Sequence, residues 1–356
     1  MAGSSVKQVR LSDVAREAGV SQGTASNVFS RPDIVREEVR AHVLEVAGRL
    51  GYAGPDVKGR LLRAGRVNAI GVAVLEPLSY FFDDPWARAM MTAFAEICDA
   101  RGMGLSLVSA RNRQRLAWNT NSAVVDGFVL VCIEGQDHLV ELTRKRGLPF
   151  VALALESGDE AIPALDVDNH GGAMLAAQHL LEHGHRQFAI LGICGNDDYA
   201  GPLVRGSGVG MKGTPRRRLD GYLQALGAAG IPADNVPVEI TRNDAETVSA
   251  SLERLFMAKA PPTAILCMAD KAAVLAVDWL GRRGLRVPQD VSVVGFDGVP
   301  DYLNAAPYLT TVAQPFQTIA ERATAMIVDA VQEPVRETIA VTLVTGRTSG
   351  PAPGRL

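Results

Sequence analysis

Apolar positions recur with the helical period over residues 11–50, and from residue 69 onward they gather into short unbroken runs separated by helical patterns. Ser12 stands just before Asp13-Val14-Ala15-Arg16-Glu17-Ala18, where Asp13 and Glu17 suit a helix start and Gly19 its stop. After Val20, Ser21 is a second N-cap candidate, and Ala25, Val28 and Phe29 share one face of a helix over 22–29. Two short helices across a tight turn, with small Ala15 and Ala18 permitting close approach, predict a helix-turn-helix. Its second helix is the one that enters the major groove in that motif. A third helix is predicted over 35–50, where Val39, Val43, Val46, Ala47 and Leu50 form a stripe that closes a small core.

The runs 69–75, 104–108, 127–133, 150–155, 188–193, 264–268 and 291–296 have the length and density of strands buried on both faces. They alternate with helical patterns, which is repeated βαβ. So many units predict an α/β body of two open lobes, each a doubly wound parallel sheet, with ligands outside the strand C-terminal ends.

Composition supports a folded chain: 356 residues are 47% hydrophobic and 21% charged, unlike a disordered segment. The longest apolar runs fall far short of the roughly 18 residues that span a bilayer. Residues 1–10 carry no apolar core of an export signal, so a cytoplasmic location is expected. Cys98, Cys132, Cys194 and Cys267 are widely spaced and show no CxxC pairing, which fits buried reduced thiols. Charge is uneven: residues 1–66 hold 11 Lys and Arg against 7 Asp and Glu, net +4, leaving −7 on the remaining 290 from a total of −3. A basic head can be a plain solvated surface or a nucleic-acid footprint, and the helix-turn-helix pattern favours the second.

The run Leu11-Ser12-Asp13-Val14-Ala15-Arg16-Glu17-Ala18-Gly19-Val20-Ser21, with Thr24, Ser26 and Leu50-Gly51-Tyr52, resembles the head of LacI/GalR-type regulators. The resemblance implies that Ser21, Gln22, Gly23, Thr24, Ser26 and Asn27 face the major groove or its phosphates, and that Tyr52 follows the third helix onto the DNA. Gln22 and Asn27 carry amides of the kind that pair with adenine N6 and N7, whereas Ser21, Thr24 and Ser26 suit phosphates. Asn27 departs from the arginine common in the family. Residues 54–66 resemble the family's hinge segment, a helix formed when a dimer grips its operator. Pro55 suits its start and Gly65 its end. Leu62 then matches the residue that wedges with its partner copy into the minor groove, flanked by Arg60 and Arg63. Gly54 and Gly59 are departures, and an ordinary flexible linker is the other reading.

Downstream, Asp166-Val167-Asp168-Asn169, Gly184-His185-Arg186, Asp220-Gly221-Tyr222, the stretch 284–297 and Pro307-Tyr308-Leu309-Thr310-Thr311 are similar to the family's regulatory domain, of periplasmic-binding-protein type I. The implied organisation is a DNA-binding head at 1–53, a hinge at 54–66 and a two-lobed effector and dimerisation domain at 67–356. Its lobes would cross near 166–168, 296–297 and 332–341. By position, Arg218 matches a side chain that grips effector oxygens and Asp297 a carboxylate that takes hydroxyls or ring N–H groups. Asp84-Pro85-Trp86 falls at the family's turn after the first strand, so Asp84 and Trp86, with Tyr80 and Phe82, are candidate pocket residues. Lobe packing is the alternative for Trp86 and Phe82. The glycine-rich stretch 195–217 is expected to be a mobile loop, without the GK[ST] ending of a phosphate-binding loop.

No nucleophile with its base, metal cluster or cofactor fingerprint emerges, so no enzyme is expected and no catalytic residue, metal or cofactor is assigned. His179 and His183, four residues apart, lack a carboxylate completing HExxH. A sugar-binding module without DNA function would lack the basic head. The expected partners are double-stranded operator DNA, a carbohydrate, nucleoside-like or related polar effector, and a second copy of the chain. No leucine heptads follow Pro351-Ala352-Pro353, so a dimer without a tetramerising coiled coil is expected. Together these readings give the expected architecture of a repressor: an all-α helix-turn-helix head, a hinge helix, and two doubly wound lobes.

Overall fold

Ser21 begins the second helix of the chain by capping it: its Oγ accepts the Thr24 N–H at 3.0 Å. The computed structural model describes residues 9–52, 54, 66–131, 137–154, 159–193, 201–202, 211–304, 308–329 and 335–354. It divides into two compact units, 1–67 and 68–356. In the first, α1 (Leu11–Glu17), α2 (Gln22–Ser30) and α3 (Glu37–Leu50) enclose Val14, Ala15, Ala18, Ala25, Val28, Val43, Val46 and Ala47. The first helix starts two residues earlier than its sequence suggests. Arg10, not Ser12, is the N-cap, because Asp13 reaches back to accept the Arg10 N–H at 3.0 Å. Gly19 at φ +64° makes the turn into α2.

The second unit runs β1 (Ala69–Val74), α4 (Tyr80–Asp83), α5 (Pro85–Ala100), β2 (Gly104–Ser109), α6 (Arg113–Ser122), β3 (Gly127–Val131), α7 (Asp137–Arg146), β4 (Phe150–Leu153) and β5 (Ala164–Val167). It continues with α8 (Asn169–Glu182), β6 (Phe188–Ile193), β7 (Gly201–Pro202), α9 (Gly213–Ala228), β8 (Val238–Thr241), α10 (Ala245–Phe256), β9 (Ala264–Cys267) and α11 (Asp270–Arg282). The last elements are β10 (Ser292–Asp297), α12 (Pro300–Leu303), β11 (Thr310–Ala313), α13 (Phe316–Val328), β12 (Arg336–Ile339) and β13 (Thr342–Val344).

Among the described residues the first sheet has the order β12-β5-β4-β3-β1-β2 and the second β13-β11-β10-β9-β6-β8-β7. Pairing is parallel throughout except for β13 on β11 and β7 on β8. In each sheet the order reverses beside the first strand, between β1 and β3 and between β6 and β9. These are the switch points where crevices open at strand C-terminal ends.

The chain passes between the sheets after β5, after β11 and between β12 and β13. Helix α8 packs on β10, β11 and β13, while α13 packs on α5, β3 and β4. The middle crossing therefore lies at Gln314-Pro315, not at Phe296-Asp297. That pair ends β10, whose chain stays in the second sheet until β11 is complete. The stretch 195–217 is corrected as well: its described end is helical, because α9 begins at Gly213 and carries Arg216 and Arg217 in its first turns. Pro215 is compatible with that start, since an N-terminal N–H has no intrahelical partner to lose. Cys98 and Cys267 are buried free thiols, whereas Cys132 and Cys194 lie outside the described residues. No helix among the described residues is long and apolar enough to cross a membrane.

Candidate functional site

Helix α2 divides cleanly. Ala25 and Val28 are buried against α1 and α3, while Gln22 and Gly23 are exposed and Ser26 and Asn27 half-buried on the other side. The hydroxyls of Ser21 and Thr24 meet at 2.9 Å within the cap. Tyr52 is turned inward as part of the head's packing: its ring meets Phe29 edge-on at 5.5 Å, and burial raises its hydroxyl pKa. Arg60 and Leu62, with the rest of the hinge segment 55–65, lie outside the described residues.

In the body, close helix packing sets the first half of a polar centre. Gly221 on α9 faces the His170 carbonyl of α8, where a Cβ would collide with that oxygen, so the two helices approach closely. One turn earlier, Arg218 is carried beside Asn169, whose Oδ1 accepts its Nε–H at 2.8 Å. Arg218 is 4% exposed. Its Nη1 also donates to the Met268 carbonyl and to Asp297 Oδ1 at 3.3 Å, and its guanidinium lies 3.6 Å over the Phe296 ring.

Asp297 supplies the other half, and its backbone is held in an unusual state. At the C-terminal end of β10 it has φ +138°, followed by Gly298 at φ +70° packed where a Cβ would strike Ala313. A non-glycine residue in that region costs on the order of 1–3 kcal/mol and persists where the surroundings over-determine it, commonly at ligand clamps. Here Asp270 does so. Its carboxyl accepts from the Val299 N–H at 2.8 Å and from the Thr311 hydroxyl, pinning the turn after Asp297. Burial pushes both carboxyls above the ordinary range, opposed in each case by the positive charge of Arg218.

The first lobe meets this centre through Trp86. Its indole Nε1–H donates to Gln314 Oε1 at 3.3 Å, and Gln314 Nε2 donates to Asp297 Oδ1 at 2.8 Å. Asp84 is chiefly the N-cap of α5, accepting from the N–H groups of Trp86 and Ala87 at 3.1 and 3.2 Å. Its other oxygen is 3.9 Å from Lys271 of the second lobe. Tyr80 is half-buried against the lobe core and Phe81 fully buried, but Phe82 is 65% exposed. Phe82 thus stands apart from the centre. Its carbonyl accepts from Arg88, which also pairs with Asp301 of the second lobe.

Sequence reasoning missed Gln314, Asn169 and Arg217, whose Nη2 lies 2.5 Å from Asp166 Oδ2 across the lobes. The available signal was position: Gln314 is a polar residue directly after a parallel strand and before a helix-starting Pro315. The whole constellation offers a fork of donors, a carboxylate acceptor, an amide with both functions and an indole face. Such a set can hold a hydroxyl-rich or heterocyclic ligand. Among the described residues no group of three or more His, Cys, Asp or Glu could hold a metal ion. His179 and His183 stack at 4.5 Å and hydrogen-bond to Ser349 and to the His179 carbonyl.

Comparison with known proteins gives two family matches. Residues 10–54 match "Bacterial regulatory proteins, lacI family", and residues 177–349 match a periplasmic binding protein-like domain. The chain is 34% identical to the HTH-type transcriptional regulator Rv3575c of Mycobacterium tuberculosis, over 97% of this chain and 98% of that protein. It is 30% identical to the HTH-type transcriptional repressor PurR of Proteus mirabilis, over 90% of this chain and 89% of that one. A solved complex of the transcriptional regulator CelR with cellobiose superposes with TM-score 0.67 at 27% identity, covering 96% of this chain and 99% of that chain.

Proposed function

The chain belongs to the lacI family of bacterial regulatory proteins and is a DNA-binding transcriptional regulator; from that premise we propose how its two sites work together. Residues 1–53 read DNA as a repressor's head, 54–66 form the hinge, and 67–356 bind the effector and a second copy of the chain. Two heads occupy adjacent major-groove half-sites of a pseudo-palindrome, and paired hinges enter the minor groove between them. Leu62 wedges a base step there, and Arg60 neutralises phosphates beside it.

The effector binds between the lobes. Arg218 donates to its oxygens, Asp297 accepts from its hydroxyl or ring N–H groups, and Trp86 covers an apolar face. Tyr80 and Asp84 shape the wall beside it, and the exposed Phe82 flanks them. A carbohydrate or a nucleoside-like molecule fits these donors and acceptors. CelR, solved with cellobiose, supports the first class. Ligand contacts that differ between the lobe arrangements couple pocket to operator by about 1–3 kcal/mol. The observation that carries this reading is the buried Arg218–Asp297 pair with its over-determined backbone, in a chain whose head presents an exposed polar helix face.

A thermal-shift screen of the full chain against sugars, polyols, nucleosides and purines tests it. A ligand at 100 times its Kd adds about 2.7 kcal/mol of stability. The reading expects a stabilising compound whose effect disappears in Arg218→Ala and Asp297→Ala, and stabilisation that survives both variants would contradict it. Leu62→Ala is expected to weaken specific operator binding and leave effector affinity unchanged. Equal operator affinity in that variant would remove the hinge assignment.

A further inference from the structure

Three cross-lobe contacts start from the short stretch 84–88 of the first lobe. Asp84 caps α5 and lies 3.9 Å from Lys271 Nζ at the start of α11, the Trp86 indole N–H donates to Gln314 after β11, and Arg88 pairs with Asp301 on α12. Side chains two positions apart on a helix leave it on different sides, so the first turn of α5 grips three separate elements of the second lobe. Attachments on different sides resist twisting as well as separation. Asp84, Arg88, Lys271 and Asp301 lie on none of the connections by which the chain passes between the sheets. The two ion pairs therefore tie the lobes where the backbone does not.

The Arg88–Asp301 pair is anchored on both sides. Arg88 Nη1 also donates to the Phe82 carbonyl at 3.1 Å, which fixes the guanidinium to the corner between α4 and α5. Asp301 closely follows Val299, whose N–H is held by Asp270, the same carboxyl that braces the turn after Asp297. Tyr302, next to Asp301, is half-buried. Burial, with the Asp84 carboxylate of the first lobe adding to it, raises the Tyr302 hydroxyl pKa, as expected for α12 standing against that lobe. A displacement of α12 is transmitted to Asp297 through the Val299–Asp270 bond.

We propose that Arg88 and Asp301 are positioning residues for the effector cleft: with Asp84 and Lys271 they form a charge-dependent clasp that draws the lobes together and sets how readily the cleft opens. The contacts join protein groups and need no effector to form. The inference rests on the cleft being the effector site, but its test uses no ligand, so either can fail without the other. The Arg88 and Asp301 side chains are 45% and 56% exposed, within reach of screening by salt. An exposed pair of this kind is worth roughly 2- to 5-fold in the ratio of closed to open cleft. Effector entry then depends on ionic strength even when the effector carries no charge.

Hydrogen exchange of the Trp86 indole N–H, followed by NMR on the full chain isotopically labelled at tryptophan, reads that ratio, because the proton exchanges when its bond to Gln314 opens. Trp279, buried within the second lobe, is the internal control. Asp301→Asn should speed Trp86 exchange by roughly 2- to 5-fold and leave Trp279 unchanged. Asp301→Glu keeps the charge and should stay close to wild type. Arg88→Gln combined with Asp301→Asn should exchange no faster than the faster single variant, since both remove one interaction. Raising salt from about 0.1 M to about 1 M should speed Trp86 exchange in the wild type and less in Asp301→Asn. Trp86 exchange unmoved by Asp301→Asn, or accelerated equally by Asp301→Glu, would overturn the proposal. So would effects that multiply in the double variant, a salt response identical in wild type and Asp301→Asn, or Trp279 accelerated as much as Trp86.

Discussion

Replacing Arg218 by Met removes the guanidinium while keeping a side chain of similar reach, and the structure sets the size of the result. Four interactions disappear: the bonds to Asn169 Oδ1 and to the Met268 carbonyl, the ion pair to Asp297, and the stacking on Phe296. Breaking a buried ion pair from one side costs about 3–5 kcal/mol, because the remaining charge has no partner. Two circumstances hold the cost inside that range rather than adding to it. Gln314 Nε2 still donates to Asp297, and burial has already raised the Asp297 carboxyl, so it can take a proton instead of standing charged. At roughly 2–4 °C per kcal/mol for a large domain, the ligand-free variant should melt ~6–20 °C lower. Arg218→Met combined with Asp297→Asn should cost less than the two separate changes summed, since neither partner is then left charged. Thermal denaturation of the four proteins without effector completes the cycle. A loss under about 1 kcal/mol for Arg218→Met, or strict additivity in the double variant, would refute the structural role assigned to the pair.

Three smaller tests bear on the surroundings. Trp86→Phe keeps the aromatic packing and deletes the indole N–H to Gln314, so it should destabilise the ligand-free protein by about 0.5–1.5 kcal/mol. An unchanged Tm would mean that bond is not formed. Gly221→Ala places a Cβ against the His170 carbonyl and 2.9 Å from Ala173 Cβ, and should cost about 1–3 kcal/mol in denaturant unfolding, with wild-type stability contradicting the close helix contact. His185 is buried between Thr263, Ser292 and the Gly350 carbonyl, and burial lowers its pKa below the ordinary 6.5. Protonation therefore favours the unfolded chain: the stability contributed by neutral His185 is present above 6.5 and is lost as pH falls toward its folded value. The Tm difference between wild type and His185→Gln should accordingly shrink from pH 7.5 to about 5.5. A constant difference would show that His185 titrates alike in both states.

The strands read from sequence were the longer unbroken apolar runs, the half-exposed edge strand β2 among them. The buried β5, β8 and β11 went unread because Asp166, Glu239 and Thr310-Thr311 interrupt their short runs. Residues 188–193 are apolar throughout and form β6 over the same span. The strands β12 and β13 went unread because they lie at sheet edges, where half-exposed positions such as Arg336 and Glu337 break the apolar run. Arg218 and Asp297 came forward by likeness to a family. Gln314 and Asn169 did not, since a polar residue becomes informative only when a partner far along the chain is known to face it. Phe81 and Phe82 illustrate the limit of local pattern. Adjacent aromatics in a single helical turn point in different directions, and only the packing of α4 on α5 decides which is buried. The same reasoning explains Arg217 and Asp166: their pairing depends on the crossing from β5 to α8, a topological event with no local signature.

The account's central claim is that one chain couples a cleft ligand to operator DNA, and fluorescence anisotropy on a selected pseudo-palindromic duplex measures that coupling directly. Titrations with and without a compound from the thermal-shift screen should differ in Kd by about 5- to 150-fold in either direction, and operator DNA should change the compound's affinity by the same factor. The direction of the shift separates induction from corepression. Identical operator affinities with the cleft empty and saturated would contradict the account.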